Sequence, residues 1–351
     1  MKKLLNLQSN YFSQLVDYSA VKKLLILMLI VVLTFIFSLS VGDSFISPLK
    51  VIAILFGNGS EFDTLIVQEF RMPRIFVSIF AGMALAISGA ILQGIIRNPL
   101  ASPDVIGISA GAGTAVVAFL ALFSDATNSL TVSIEWMPVA AFIGALATAL
   151  LVYSLAWKNG VSATRLVMIG VGIASLMQAI TTLLMIIGPI YQASKANVWI
   201  TGSVNSATWQ QVKIIIPVVT CLFIITLLVS RHLNLQQFGD DAATSLGQHV
   251  QKTRLALLLL CTALVGSAVS FAGTIGFVGL MAPHIARKLV GSSFGSLIPA
   301  SACIGAILVI LADTIGRSLF DSIVVPAGVF TAAIGAPYFI YLLIKMQKKV
   351  G

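Results

Sequence analysis

The sequence predicts an all-α, polytopic membrane protein with about ten transmembrane helices in two inverted, pseudo-symmetric halves. Three observations predict it. Of the 351 residues, 58% are hydrophobic and only 9% charged, with mean hydropathy +1.03. Soluble domains carry about 25% charged residues, so lipid is the solvent that suits this surface. Apolar runs of spanning length recur along the whole chain, and part of the sequence repeats at an offset of 184 residues.

Runs long enough to cross about 30 Å of hydrocarbon lie at 24–41, 75–96, 105–123, 137–157, 164–188, 212–230, 255–275, 297–316 and 326–345. A shorter one at 277–291 completes ten. The first follows Lys22 and Lys23 and leads into "SLSVGDS", which offers no convincing small-residue cleavage site. It reads as a retained span preceded by a cytoplasmic segment, residues 1–23, with the membrane domain occupying 24–351.

The net charge of +9 would suggest nucleic acid in a soluble protein; here, basic flanks orienting membrane spans account for it, and no nucleic-acid partner is expected. With the N-terminus inside, Lys2, Lys3, Lys22, Lys23, Arg97, Lys158, Arg165, Arg231, Lys252, Arg254, Lys345, Lys348 and Lys349 fall on the cytoplasmic side. Lys50, Arg71, Arg74, Lys195, Lys213 and Arg317 fall outside, with Arg287 and Lys288 unplaced. That bias predicts two cytoplasmic termini.

In the repeat, residues 82–111 match 266–295 without gaps. Gly82, Gly89, Gly107 and Gly111 meet Gly266, Gly273, Gly291 and Gly295, and Pro99 meets Pro283. The copies start five spans apart and would insert with opposite orientation, within halves of roughly 75–190 and 255–345. Inverted repeats about a midplane pathway are a transporter signature.

Between the second and third spans stands "RNPLASPDVIGISAGAG", residues 97–113. Pro99 and Pro103 stop one helix, and Asp104 is placed to cap the next through its backbone N–H groups. Gly107, Gly111 and Gly113 then leave a groove for a neighbouring backbone. "GISAG" (107–111) also fits the G-x-S-x-G nucleophile pattern, with His284 available elsewhere. That pattern needs a strand-to-helix elbow, whereas Ser109 lies in a helical apolar run. Cys221, Cys261 and Cys303 sit in apolar runs at no metal-ligand spacing and are expected to be packing residues. His284 suits helix packing or a pathway lining, and no carboxylate–histidine cluster offers to ligate bare iron.

Nothing matches the phosphate-cradling G-x-x-x-x-G-K-[ST] pattern, so ATP and Mg would have to be held by another chain. The one sizeable polar loop between spans is 231–254, "RHLNLQQFGDDAATSLGQHVQKTR". Asp240 and Asp241 suit the start of a short helix, Ala243, Leu246 and Val250 could form its apolar face, and Gly239 and Gly247 bound it. Arg71 and Arg74 stand at the outer entrance of the second span and Arg317 at the outer end of the ninth, where lipid headgroups or a protein could meet them.

The stretch "RMPRIFVSIFAGMALAISGAILQGIIRNPLASPDVIGISAGAG" (71–113) resembles the permease family that imports iron–siderophores, haem and vitamin B12. The resemblance continues through "WITGS" (199–203), "FGDDAATSLGQ" (238–248), "AGTIGFVGLMAPHIAR" (272–287), "LADTIGRSL" (311–319) and "VPAGVFTAAIGAPYF" (325–339). One departure is Val325, where the family often has an acidic residue. The resemblance implies a non-enzymatic subunit of a bacterial cytoplasmic-membrane ABC importer. Two permease subunits, identical or related, would enclose the pathway, with two cytoplasmic ATPases below and an extracytoplasmic binding protein above.

It further implies that 231–254 holds paired short helices fitting an ATPase cleft, with Gly239, Asp240, Asp241, Ala243, Leu246 and Gly247 as coupling residues. Arg71, Arg74 and Arg317 would meet glutamates of the binding protein. Pathway or helix-packing positions are Gly82, Gly89, Asn98, Pro99, Gly107, Gly111, Trp199, Gly202, Ser203, Gly273, Gly276, Gly279, Pro283 and His284. The cargo implied is Fe(III)–siderophore, with vitamin B12 or haem as the alternative; an intramembrane serine hydrolase and a passive channel are the readings from other classes.

Overall fold

The computed structural model describes residues 4–9, 12–42, 44–124, 130–158, 160–188, 190–319 and 324–347. Lys2, Lys3, Lys348 and Lys349 of the charge bias lie outside the described residues. A short antiparallel hairpin, Leu4–Ser9 with Phe12–Asp17, precedes the helices, and among the described residues every later named element is a helix.

Each predicted apolar run falls in a helix. They are α1 (Tyr18–Ser40), α4 (Met72–Ile96), α5 (Ile108–Leu122), α6 (Met137–Leu155), α7 (Ala163–Ile187), α9 (Trp209–Leu228), α12 (Val250–Ala272), α13 (Val278–Val290), α14 (Phe294–Ser318) and α15 (Ala327–Gln347). Between them lie α2 (Pro48–Leu55), α3 (Glu61–Leu65), α8 (Ile190–Thr201), α10 (Ser230–Gln236) and α11 (Asp240–Ser245). Among the described residues, eight helices are long and apolar enough to cross a membrane, and α5 is a shorter apolar one. α13, with 13 residues, is the short eighth segment of the sequence reading.

Three elements, α2, α3 and α8, lay below what hydropathy reports. α2 opens on Ser47, whose hydroxyl accepts the Lys50 N–H, and on Pro48 at its first position. It buries Val51 and Ile54 but exposes Leu49 and Phe56, the two-faced pattern of a helix lying at an interface. α3 runs through a π-turn, Ile66–Arg71, straight into α4.

α4 is the axis of the bundle. It packs against α14, α12, α13 and α9, and 19 of its residues are buried, mostly Ala, Gly, Ser and Ile. A β-carbon on Gly82 would overlap the Gly305 carbonyl of α14, and one on Gly305 would overlap that of Gly82. One on Gly89 would run into the Gly279 carbonyl of α13. Water does not drive helices together inside lipid, so such backbone-to-backbone contact supplies the packing that holds the bundle. Gly111 of α5 meets Gly144 and Thr148 of α6 in the same way.

The ungapped repeat does not survive as an element-for-element match. Gly89 is in the middle of α4 whereas Gly273 caps α12, and Pro99 lies in a turn whereas Pro283 is inside α13. The second copy contains the extra break at 273–277, so its later positions slip by an element. Gly82 and Gly266 both lie buried within a helix, and Gly107 and Gly291 are both positive-φ residues (φ 84° and 90°) ahead of one.

Gly82→Val and Gly89→Val should each destabilise the purified permease, since overfilling a packed site costs about 1–3 kcal/mol or more. Gly172→Ala, where a β-carbon meets nothing within 4 Å, should leave the melting temperature unchanged. Thermal unfolding in detergent reads all three.

Candidate functional site

Polar groups gather at three places: one end of α1, α4 and α14, a cavity beside α5, and the 230–250 loop. At the first, helix α1 ends with carbonyls that have no helical partner. Arg71 donates to the Leu39 carbonyl at 2.6 Å and to the Ser44 carbonyl at 2.6 Å. Arg317 donates to the Ser38 carbonyl and, at 2.9 Å, to the Ser38 hydroxyl. Gly42 leaves room for both, since a β-carbon would sit 2.8 Å from the Arg71 guanidinium and 3.0 Å from that of Arg317. Beside them Arg74 grips Asp313 with Nε 2.8 Å from each carboxylate oxygen and Nη2 2.7 Å from Oδ1. It also donates to Asn205 at 2.5 Å, and Arg317 Nε lies 3.8 Å from Asp313.

Arg71, Arg74 and Arg317 are the arginines that the family resemblance offers to a binding protein. They are 6%, 9% and 7% exposed, and their guanidinium groups face Asp313, Asn205 and the frayed end of α1. Asp313 was missed in the sequence, where its one signal is a carboxylate four residues before Arg317 inside an apolar run.

The cavity, of about 450 Å³, lies among α5, α7 and the start of α13, and is also lined by Ile200 and Phe339. Asp104 faces it from the 3₁₀ turn Pro103–Ile106. Its carboxylate does not cap α5 as expected; Gly107, with φ 84°, occupies that position. Instead it accepts the hydroxyls of Ser109 at 2.7 Å and Ser102 at 3.0 Å. Burial raises its pKa above the usual carboxylate range, while hydrogen bonds from Ser109, Ser102 and the Phe277 backbone pull the other way. Asn98 closes the preceding turn by accepting the Leu100 N–H at 2.9 Å, with Pro99 between.

Three segments cross at the cavity's edge. Gly273 (φ 67°) passes over the Trp199 carbonyl, and Gly202 (φ 85°) lies against Ile275. Gly202 accepts the Gly328 N–H at 3.0 Å. Ser203 turns the chain by accepting the Asn205 N–H at 3.3 Å. Gly276 lines the cavity, with nothing near its missing side chain. Phe277, at φ 67°, holds a left-handed conformation rare for an aromatic residue, and its ring packs on Gly335 of α15. Gly279 is the residue pressed against α4, and Pro283 is buried within α13. His284 stands edge-on to Tyr338, ring centroids 6.0 Å apart. Ser109 therefore donates to Asp104, on a helix and without an elbow, which removes the geometric basis of the hydrolase pattern.

At the loop, two short helices form as expected. Gly239 (φ 106°) and Gly247 (φ 84°) bound α11. The expected apolar face does not form. Ala243 is fully buried against the permease itself and Val250 belongs to α12, whereas Leu246 is 64% exposed. Gly247 breaks the helix between Leu246 and Val250, so helical spacing does not carry across it. Asp240 turns toward Arg97 and Arg254, leaving Asp241, Thr244 and Leu246 on the exposed side. A tryptophan at 243 would therefore overfill the permease rather than a partner's cleft.

A lipid-spanning bundle locked by glycine contacts, with charge confined to its ends and beside one cavity, defines a membrane permease. Residues 29–345 match the FecCD transport family. The chain is 59% identical over 312 residues, covering 89% of it and 91% of the relative, to the Probable siderophore transport system permease protein YfhA of Bacillus subtilis. It is 41% identical to the Achromobactin transport system permease protein CbrC of Dickeya dadantii, covering 96% of this chain and 95% of that one. Among solved structures it resembles a metal-chelate type ABC transporter in an inward-facing conformation. That likeness has TM-score 0.82 and 30% identity, over 92% of this chain and 99% of the other. The chain belongs to the FecCD transport family, and is a non-enzymatic permease subunit of an ABC transporter.

Arg74→Glu would set two carboxylates face to face. Breaking a buried ion pair costs about 3–5 kcal/mol, so this variant should lower the melting temperature of the permease alone, before any partner is added. Asp313→Asn should do the same more mildly, because it keeps a hydrogen-bond acceptor.

Proposed function

We propose that this permease carries Fe(III)–siderophore inward across a bacterial cytoplasmic membrane. The observation that carries the reading is the 59% identity, over most of both chains, to a siderophore-system permease. Relatives named for achromobactin and for Fe(3+)-hydroxamate support the same cargo class. The glycine-rich walls and the largely apolar cavity lining suit a bulky chelate that must be released rather than held.

The chain works with a second permease subunit, identical or related, with two cytoplasmic ATPases that hold ATP and Mg, and with an extracytoplasmic binding protein. The binding protein docks on the face that Arg71, Arg74 and Arg317 brace from within. The ATPase takes the exposed side of α11, where Phe238 is 75% and Leu246 64% exposed. Both termini, residues 97–104 and residues 231–254 lie in the cytoplasm, in keeping with the positive-charge bias.

Proteoliposomes holding the permease and its ATPase, supplied with loaded binding protein, should accumulate ferric hydroxamate or ferric catecholate siderophores. They should show no uptake of vitamin B12 or haem above background. Uptake that persists with a hydrolysis-dead ATPase would identify a passive channel instead, and preferential B12 uptake would reassign the cargo.

Orientation has its own test. In a cysteine-free background, Leu246→Cys should resist an impermeant thiol reagent in intact cells while Trp136→Cys reacts. Both positions are well exposed, at 64% and 58%, so silence at 246 reports the side of the membrane. Labelling of 246 from outside would invert the topology.

A further inference from the structure

We infer that Asp240 is a positioning residue that fastens α11 to the permease through two arginines, so that α11 and the cytoplasmic ends of the spanning helices move as one body. This rests on the reading of α11 as the contact for the ATPase. Arg254, in the second turn of α12, is 1% exposed. Its Nη2 donates to the two Asp240 carboxylate oxygens at 3.0 and 3.1 Å, and its Nη1 donates to the Val161 carbonyl in the connection between α6 and α7. Arg97, the left-handed residue (φ 56°) that ends α4, brings Nη2 to 3.1 Å from the same Asp240 oxygen. Gln251, one turn before Arg254, accepts the Val161 N–H at 2.9 Å.

A single carboxylate thus faces two guanidinium groups, one buried and one 37% exposed along its side chain. The buried one donates, besides Asp240, to a neutral carbonyl, so Asp240 is the carboxylate that balances its charge. Charge balance therefore pulls Asp240 inward, and the carboxylate carries the start of α11 with it. Gly239 lets this happen. A β-carbon there would meet the Arg97 guanidinium at 3.2 Å, and its φ of 106° is open only to glycine. Ala243, one turn on, seals the same inner face. The consequence is a division of labour within six residues. The inner face holds α11 on α4, α12 and the α6–α7 connection, and the outer face is left to a partner. Force applied to the outer face reaches the axial helix α4 through the Asp240–Arg97 contact.

The test uses the assembled importer in proteoliposomes, with binding protein loaded with the ferric siderophore that gives the highest uptake. Three quantities are read: ATPase recovered with the permease, the ratio of stimulated to basal ATP hydrolysis, and uptake. Arg97→Gln and Asp240→Asn should recover the full complement of ATPase while the ratio and uptake fall about tenfold, within the range of ordinary coupling between sites. The double variant should be no worse than the more defective single one, because both remove one contact. Arg97→Lys, which keeps the charge, should restore at least about half of the ratio. Leu246→Asp, on the outer face, should instead lose the ATPase. Wild-type ratios in Arg97→Gln and Asp240→Asn, additive defects in the double variant, or failure of Arg97→Lys to rescue would each overturn the clamp. Full ATPase recovery and coupling in Leu246→Asp would overturn the coupling reading itself, and the clamp with it.

Discussion

Backbone contact along α4 is the constraint on which the rest of the structure depends. In lipid, apolar side chains gain nothing by leaving their solvent for one another, so helices associate where their surfaces fit closely enough for many weak contacts to add up. Gly82 against Gly305 and Gly89 against Gly279 bring α14 and α13 against the axis with no side chain between them. A helix surrounded on all sides cannot tilt alone. Whatever moves one end of α4 must carry its neighbours, which is a useful property in a subunit that alternates between states.

Charge in this protein is placed where that axis ends. At one end Arg74 leaves α4 to meet Asp313 of α14, and Arg71 and Arg317 tie down the last carbonyls of α1. At the other, Arg97 and Arg254 both meet Asp240. Neither cluster could sit in the middle of the span without a heavy desolvation cost. Both lie where chain connections supply carbonyls and carboxylates as partners. The result is a stiff apolar rod with a polar junction at each end, one beside the 230–250 loop and one beside the opposite face.

Between the junctions, the break at 273–277 is where the bundle departs from straight spans. Gly273, Gly202 and Gly328 let three segments cross at backbone distance, and Phe277 holds a left-handed conformation to begin α13. The cavity opens beside this crossing. Strained or glycine-dependent backbone is concentrated there, and such strain persists only where surrounding contacts hold it.

By itself the sequence determined the helical membrane class, the approximate limits of the apolar runs, the loop that contains α10 and α11, and the absence of a nucleotide-binding fingerprint. Those features are local: hydropathy over twenty residues, a glycine at a helix end, a motif within one window. Which faces point where was decided by tertiary structure alone. The burial of Arg71, Arg74 and Arg317 was not legible because Asp313 lies 239 positions from Arg74 and the end of α1 lies 32 positions before Arg71. Ala243 read as an outward contact because helical spacing was carried across Gly247, whose left-handed backbone breaks the period. The 184-residue repeat promised two matching halves, but the break at 273–277 moved its later positions onto different elements. Pairing across long separations and the hand of a single glycine leave no periodic trace in a chain, and here they settle which charges are buried and which face of α11 is free.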